Sequence, residues 1–467
     1  MPCPRLPPEI VYHILCCFDH TQSKNIDLFL DLMAISMVCR EWFGVARPMI
    51  NNDTLRQPFT HIVNPNYTNN LIRLAALLST AHHLALPYPS EINSFAISEA
   101  LFIPTENITQ SRQVVQAYTP TDHAAFLTIL SLTTLSHLHL ITTHASGPPH
   151  RMQARARFFS RLKPHCAHIP ALKLWFTDLR GSVRMGLNGP PQPRPRADDP
   201  HLSDLVSNVA QTLHSVNIRY EPDALTAAAL ARCPHLQNVA FELCSVRTVT
   251  DILRGLPDLR KVAIRCLLDG DDDGWGDGST TENLFNVLAS NEDLEDIYFT
   301  ATPYMHDLSE HVSARLGLAL VGLFARTPRL KRLHLSSVPY ATDDVLRTVA
   351  RTCGDLEELA LHTTSQLVTG LGVLIGATTP WPRLRTLVVS DTKIFPSFVG
   401  AVVRRCEVLE SVQLPRVLNQ NPDIRALLGR QGFRDTEVEG GYRWKRGSVC
   451  CWKREGVCCW KRDGEEE

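Results

Sequence analysis

The residues with types and spacing suited to chemistry fall into four groups. DGDDDGWGDGST, from Asp269, sets Asp269, Asp271, Asp273, Gly274 and Asp277 at the first, third, fifth, sixth and ninth positions of a calcium loop. Such a loop closes on a bidentate Glu at its twelfth position, where this chain has Thr280, and the segment before it reads as a strand rather than a helix. The pattern therefore predicts a solvated acidic insertion that holds no metal. GLGVLIGA from Gly370, with Asp391 about twenty residues on, mimics a dinucleotide fingerprint. Pro380 ends that segment too early for a crossover helix, so Gly370 to Ala377 reads as the helical half of a repeat. Cys450, Cys451, Cys458 and Cys459 could supply four thiolates to zinc, but adjacent pairs are unlike the C-x-x-C knuckle that aims two sulfurs at one ion. Acylation of cysteines beside Lys and Arg is a second option. The near-identical octads that carry them, YRWKRGSV, CCWKREGV and CCWKRDGE, favour low-complexity expansion over either. The nineteen histidines are scattered singly, and the sequence has no H-E-x-x-H, G-x-S-x-G or P-loop. The expectation is a chain without cofactor or metal that binds rather than catalyses.

Bulk properties point the same way. A chain of 467 residues, with 44% apolar and 20% charged residues, should hold more than one domain. Its 47 Lys and Arg against 48 Asp and Glu leave no basic field to neutralise phosphates, so nucleic acid is not the expected partner. No apolar stretch reaches the roughly eighteen residues of a membrane span, and the N-terminus does not read as a signal peptide. An intracellular protein, cytoplasmic or nuclear, is expected, its fourteen cysteines held as reduced thiols at buried positions such as Cys233 and Cys353.

The elements that would position a site are written more plainly. TPRLKRLHLSSV, Thr327 to Val338, contains Leu330, Leu333 and Leu335 as L-x-x-L-x-L, and the phrase recurs from Leu236, Leu259, Leu294, Leu356, Leu384 and Leu409, more faintly from Leu135, around Leu172 and from Leu213. From Leu213 onward the steps are 23, 23, 35, 36, 26, 28 and 25 residues, which is the recurrence of a stacked repeat whose longer members carry insertions. Within a phrase the fourth and sixth positions share one face of a short strand. Helix-period segments follow, as in TDDVLRTVARTC, where Val345, Leu346 and Val349 form a stripe and Thr342 or Asp343 can cap the start. Leu335 and Leu361 are thus expected on adjacent buried strands. Arg332, His334, Glu358, Ala360, Arg385 and Val388 are expected on the exposed strand face.

This organisation, with CPHL, LPDL, CGDL and WPRL just before the strands, resembles the leucine-rich repeats of F-box proteins. Near the N-terminus, Leu6, Pro7, Glu9 and Ile10 match the L-P-x-E-I start of an F-box, and Val38, Cys39, Arg40 and Trp42 match its V-C-R-x-W end, with a longer middle than the family's usual link. Pro7 and Pro8 stand at a helix start, Ile10, Val11, Ile14 and Leu15 recur at helical spacing, and a second run steps through Leu28, Leu32, Ile35, Val38 and Trp42. The resemblance implies a three-helix module that holds a Skp-type adaptor of a cullin–RING ubiquitin ligase through Leu6, Pro7, Pro8, Glu9, Ile10, Ile14, Leu15, Val38, Cys39 and Trp42. It further implies an α/β solenoid that takes a protein substrate on its strand face, with Arg332, His334, Glu358 and Arg385 as contacts. The expected domains are the F-box-like module at 1–53, helical linker or irregular early repeats at 54–131, the leucine-rich-repeat solenoid at 132–435 and a disordered, low-complexity tail at 436–467. Mobile loops are expected near 145–157, 181–200 and 269–279, where Pro, Gly and charge replace the apolar period. A repeat scaffold with a helical cap and no ligase is the alternative.

Overall fold

The computed structural model describes residues 26–38, 42–44, 46, 68–92, 94–98, 120–134, 136–143, 149–177, 198–219, 221–265, 278–301, 309–362, 368–370, 381–390, 394–438 and 441–446. Each L-x-x-L-x-L phrase from Leu213 to Leu409 turns into a strand at its third position, and the strand of the last phrase is one residue shorter than the others, ending at Leu414. The first leucine of every phrase is buried, and so are the two that alternate along the strand, for example Leu330, Leu333 and Leu335. Burying one such side chain contributes roughly 1.5–3 kcal/mol, so the repeated leucines are the main reason the strands face the way they do. The residue that opens each phrase makes the same tight turn: Leu236, Leu330, Leu356, Leu384 and Leu409 donate their backbone N–H to the carbonyls of Cys233, Thr327, Cys353, Trp381 and Cys406 at 3.1–3.3 Å.

Among the described residues, thirteen strands form one open sheet. They are β1 (Ser94–Ser98), β2 (His137–Thr143), β3 (Ala171–Thr177), β4 (Ser215–Arg219), β5 (Asn238–Glu242), β6 (Lys261–Arg265), β7 (Asp296–Thr300), β8 (Arg332–Ser336), β9 (Glu358–His362), β10 (Thr386–Ser390), β11 (Ser411–Leu414), β12 (Phe433–Val438) and β13 (Gly441–Arg446). The first eleven are parallel and adjacent in chain order, and β13 then inserts antiparallel between β11 and β12. Leu335 stands directly across from Leu361, as the repeat register requires. A parallel neighbour needs a crossover, and helices supply it. The helices Pro149–Cys166, Pro200–Val209, Ala224–Leu230, Val246–Arg254, Ser279–Ala289, Glu310–Ala325 and Asp343–Thr352 pack each on the next. Val345, Leu346 and Val349 are the buried stripe of the last of these. The described residues form a mixed α/β structure around one continuous apolar core.

Several local expectations are corrected. Neither Thr342 nor Asp343 caps the helix they begin: Thr342 occupies the cap position without a side-chain bond, while the Asp343 carboxylate accepts from the N–H groups of Thr369 and Gly370, both at 2.8 Å, in the following unit. Glu221 does the same for Ser245, at 2.6 Å, so acids clasp neighbouring units at more than one place. The loop expected near 145–157 is helical from Pro149, and Phe158, Phe159, Leu162 and Cys166 give that helix a buried stripe. Its Arg155 is 2% exposed, pairs with Asp199 through Nε at 3.1 Å and through Nη2, and lies 5.2 Å over the Phe159 ring. Asp199 in turn caps the helix Pro200–Val209, accepting from His201 and Leu202 N–H at 3.2 Å. The 181–200 loop is thereby anchored at its C-terminal end, residues 181–197 lying outside the described residues. The tail does not begin at 436 either, because β12 runs through that position and the first octad supplies β13.

Candidate interaction surface

Along each strand the residues between the buried leucines point to the other face of the sheet, and registry stacks them in rows. The row at the first strand position runs Lys261, Asp296, Arg332, Glu358, Thr386. Asp296 is 3% exposed because two cations cover it: Arg332 donates from Nε and Nη2 at 2.9 and 2.8 Å, and Lys261 Nζ lies 3.2 Å away. The hydrogen bond to Asp296 raises the Arg332 pKa further, against the lowering effect of burial. At the last strand position Glu242 holds two arginines in the same manner, Arg219 at 3.3 Å and Arg265 at 3.4 Å.

The middle row runs Ala240, Ala263, Tyr298, His334, Ala360, Val388. The Tyr298 and His334 rings lie 4.2 Å apart between centroids, and His334 Nε2 stands 2.9 Å from Glu358 Oε1. Burial lowers the His334 pKa and outweighs the opposing pull of Glu358, so the imidazole is neutral at pH 7. Burial also raises the Tyr298 hydroxyl. His139, on β2, is held down to about 4 by burial and then by the Lys173 charge.

Arg332, His334 and Glu358 are therefore brought together as one half-buried patch, with Tyr298, Asp296 and Lys261 as members that single-residue reading missed. Those three occupy the same phrase positions as Arg332 and His334, so aligning the repeats column by column would have found them. Ala360 is fully buried, not exposed as expected, although it stands in the same row between His334 and Val388. Arg385 does not join the patch. Thr386, not Arg385, pairs with Glu358, and Arg385 sits one residue before β10 over a shallow depression shared with Glu357, Arg383 and Val408.

Arg385 belongs instead to a column just before the strands: Arg260, Glu295, Lys331, Glu357, Arg385, Glu410. Each of these donates its backbone N–H to the carbonyl of its predecessor at 2.7–2.8 Å, and the signs of the side chains alternate without a break. Lys331 reaches Glu295 at 2.9 Å and Arg385 reaches Glu410 at 3.7 Å. The buried cysteines Cys166, Cys233, Cys353 and Cys406 have their thiols pushed up to about 11 or 12 by burial, which removes them as nucleophiles.

Of the N-terminal candidates, Val38 and Trp42 are described. Val38 is 60% exposed, just past the end of the helix Ile26–Ser36, while Trp42 is half-buried against the core. Of the expected stripe, Leu32 is buried and Ile35 and Trp42 are half-buried against the core, whereas Val38 leaves it beyond the helix end at Ser36. That helix packs on Thr68–His83 through an Arg73–Asp31 ion pair, and the Tyr88 hydroxyl donates to Ser36 Oγ. Leu6, Pro7, Pro8, Glu9, Ile10, Ile14, Leu15 and Cys39 lie outside the described residues, as do most of the acidic insertion, Leu371 to Ala377, Asp391 and the cysteines of the later octads. No helix among the described residues is long and apolar enough to cross a membrane. Neither the models of known protein families nor the curated proteins include a match to this chain.

Proposed function

We propose that the chain is the substrate-recognition subunit of a Skp–cullin–F-box ubiquitin ligase: a leucine-rich-repeat solenoid that holds a protein substrate on its outward strand face, joined to an F-box that holds the adaptor. The observation that carries the reading is the registry of the phrases, which lays Lys261, Tyr298, Arg332, His334 and Glu358 side by side as a half-exposed surface on a rigid sheet. Preformed surfaces of this kind bind partners with little ordering cost. The adaptor half is supported by the matched ends at Leu6, Pro7, Glu9, Ile10 and Val38, Cys39, Arg40, Trp42, and by the exposure of Val38, since an apolar anchor must be accessible to fill a partner's pocket.

A second reading, a repeat scaffold without a ligase, is favoured by one feature: Leu30, Leu32 and Met33 sit in the same apolar core as the sheet, as residues of a terminal cap would. Co-expression of the full chain with a Skp-type adaptor separates the two. The ligase reading expects a stable complex, and the scaffold reading expects none.

A further inference from the structure

The slot between β11 and β12 is filled by the first octad, and two side chains anchor it. Trp444 is 6% exposed, and its Nε1 donates to Oδ1 of the buried Asn419 at 2.8 Å. Arg446 donates its backbone N–H to Glu410 at 2.8 Å, its guanidinium lies 5.1 Å over the Phe433 ring, and Nη1 donates to the Glu407 carbonyl. Arg446 thereby adds the next cation to the alternating column that ends at Glu410. The sequence carries the same W-K-R phrase twice more, at Trp452 to Arg454 and Trp460 to Arg462.

We propose that this slot is a strand-binding site selective for W-x-R, and that the second and third octads of the same chain are its alternative occupants. The repeat length is what permits exchange. A shift of eight residues is even, so every side chain keeps its face of the strand. Trp452 then takes the Trp444 position opposite Val412, Arg454 takes that of Arg446, and Cys450 and Cys451 replace Tyr442 and Arg443 opposite Leu414 and Gln413. The difference is the connection from β12. Val438 pairs with Gly441 across two residues, and after an eight-residue shift the connection holds ten. Loop closure scales as the three-halves power of length, so the second octad is disfavoured by about tenfold and the third, with eighteen residues, by about thirtyfold. The first octad wins in the intact chain, and the others fill the slot when it is lost.

The test is amide hydrogen exchange of β11 in the full chain. Trp444→Ala should lower protection of Ser411–Leu414 by about tenfold, because a neighbouring octad takes over at the loop penalty. Trp452→Ala/Trp460→Ala should leave it unchanged, and the triple variant Trp444→Ala/Trp452→Ala/Trp460→Ala should lose at least a further tenfold. Equal losses in the single and triple variants, including a failure of both to fold, would overturn the proposal. Protection in Trp444→Ala that rises with protein concentration and comes with dimers in sedimentation would also overturn it, by making a second copy the occupant.

Discussion

Replacing Asp296 by Asn neutralises the carboxylate at the centre of the first-position row while keeping its shape. Asp296 accepts two bonds from Arg332, at 2.9 and 2.8 Å, and faces Lys261 at 3.2 Å. Hydrogen bonds to a charged group contribute about 1.5–3 kcal/mol when both partners are desolvated. Here the cations are not fully desolvated: the Arg332 and Lys261 side chains are 40% and 44% exposed, so they recover water when the carboxylate goes, and salt screens what remains. The Asn side chain can still accept one bond. The net loss is therefore about 1–3 kcal/mol, larger than for an exposed pair and smaller than for a fully buried one. Urea unfolding followed by circular dichroism, at low and at high salt, measures it. A double-mutant cycle with Arg332→Gln should give a coupling of about 1 kcal/mol. A loss below about 0.5 kcal/mol, or additive effects in the cycle, would mean that the row is decoration on a sheet held by its leucines alone.

Leu335→Ala should destabilise by about 2–5 kcal/mol as a core cavity, whereas His334→Ala on the same strand should cost about 1 kcal/mol for its ring contact with Tyr298, as read by urea midpoints. Arg155→Leu should cost about 3–5 kcal/mol in thermal or urea unfolding, because it strands the buried Asp199 carboxylate, and Arg155→Leu/Asp199→Asn should recover part of the loss. His139 has a folded pKa of about 4, below its unfolded value near 6.5, so the unfolded state binds the extra proton between those values. Its contribution is fully present above pH 6.5 and is lost as pH falls toward 4, and His139→Gln should flatten the stability profile across that window.

What the sequence revealed of this fold follows from how local each interaction is. The period-two burial of Leu333 and Leu335, and the stripe of Val345, Leu346 and Val349, depend on neighbours a few residues away and could be read from spacing. The partnership of Arg155 with Asp199 joins positions 44 residues apart across a Pro-rich segment, and nothing in either neighbourhood predicts it. Asp343 looks like a helix cap and serves the following unit instead, again because its partners are remote. The first octad was obscured for another reason. Its docking rests on one apolar residue, Trp444, which bonds Asn419, and on Arg446, too small a signal to separate a strand from low-complexity repetition. In the surface patch, Arg332, His334 and Glu358 were legible as alternate strand positions, whereas Arg385 was displaced by one residue because Leu384, Arg385 and Thr386 align with Leu330, Lys331 and Arg332.

The most direct test of the proposed function is capture of a Skp-type adaptor by three full-length proteins, each checked for folding by circular dichroism. The wild type should retain the adaptor through size exclusion. Leu6→Ala/Pro7→Ala should lose it while keeping the wild-type unfolding midpoint, because the resemblance places both residues at the adaptor rather than in the core. Trp42→Ala should lose both capture and some stability, since Trp42 packs against the core. A wild-type chain that captures no adaptor, or a Leu6→Ala/Pro7→Ala variant that captures it normally, would contradict the ligase reading and leave the scaffold in its place.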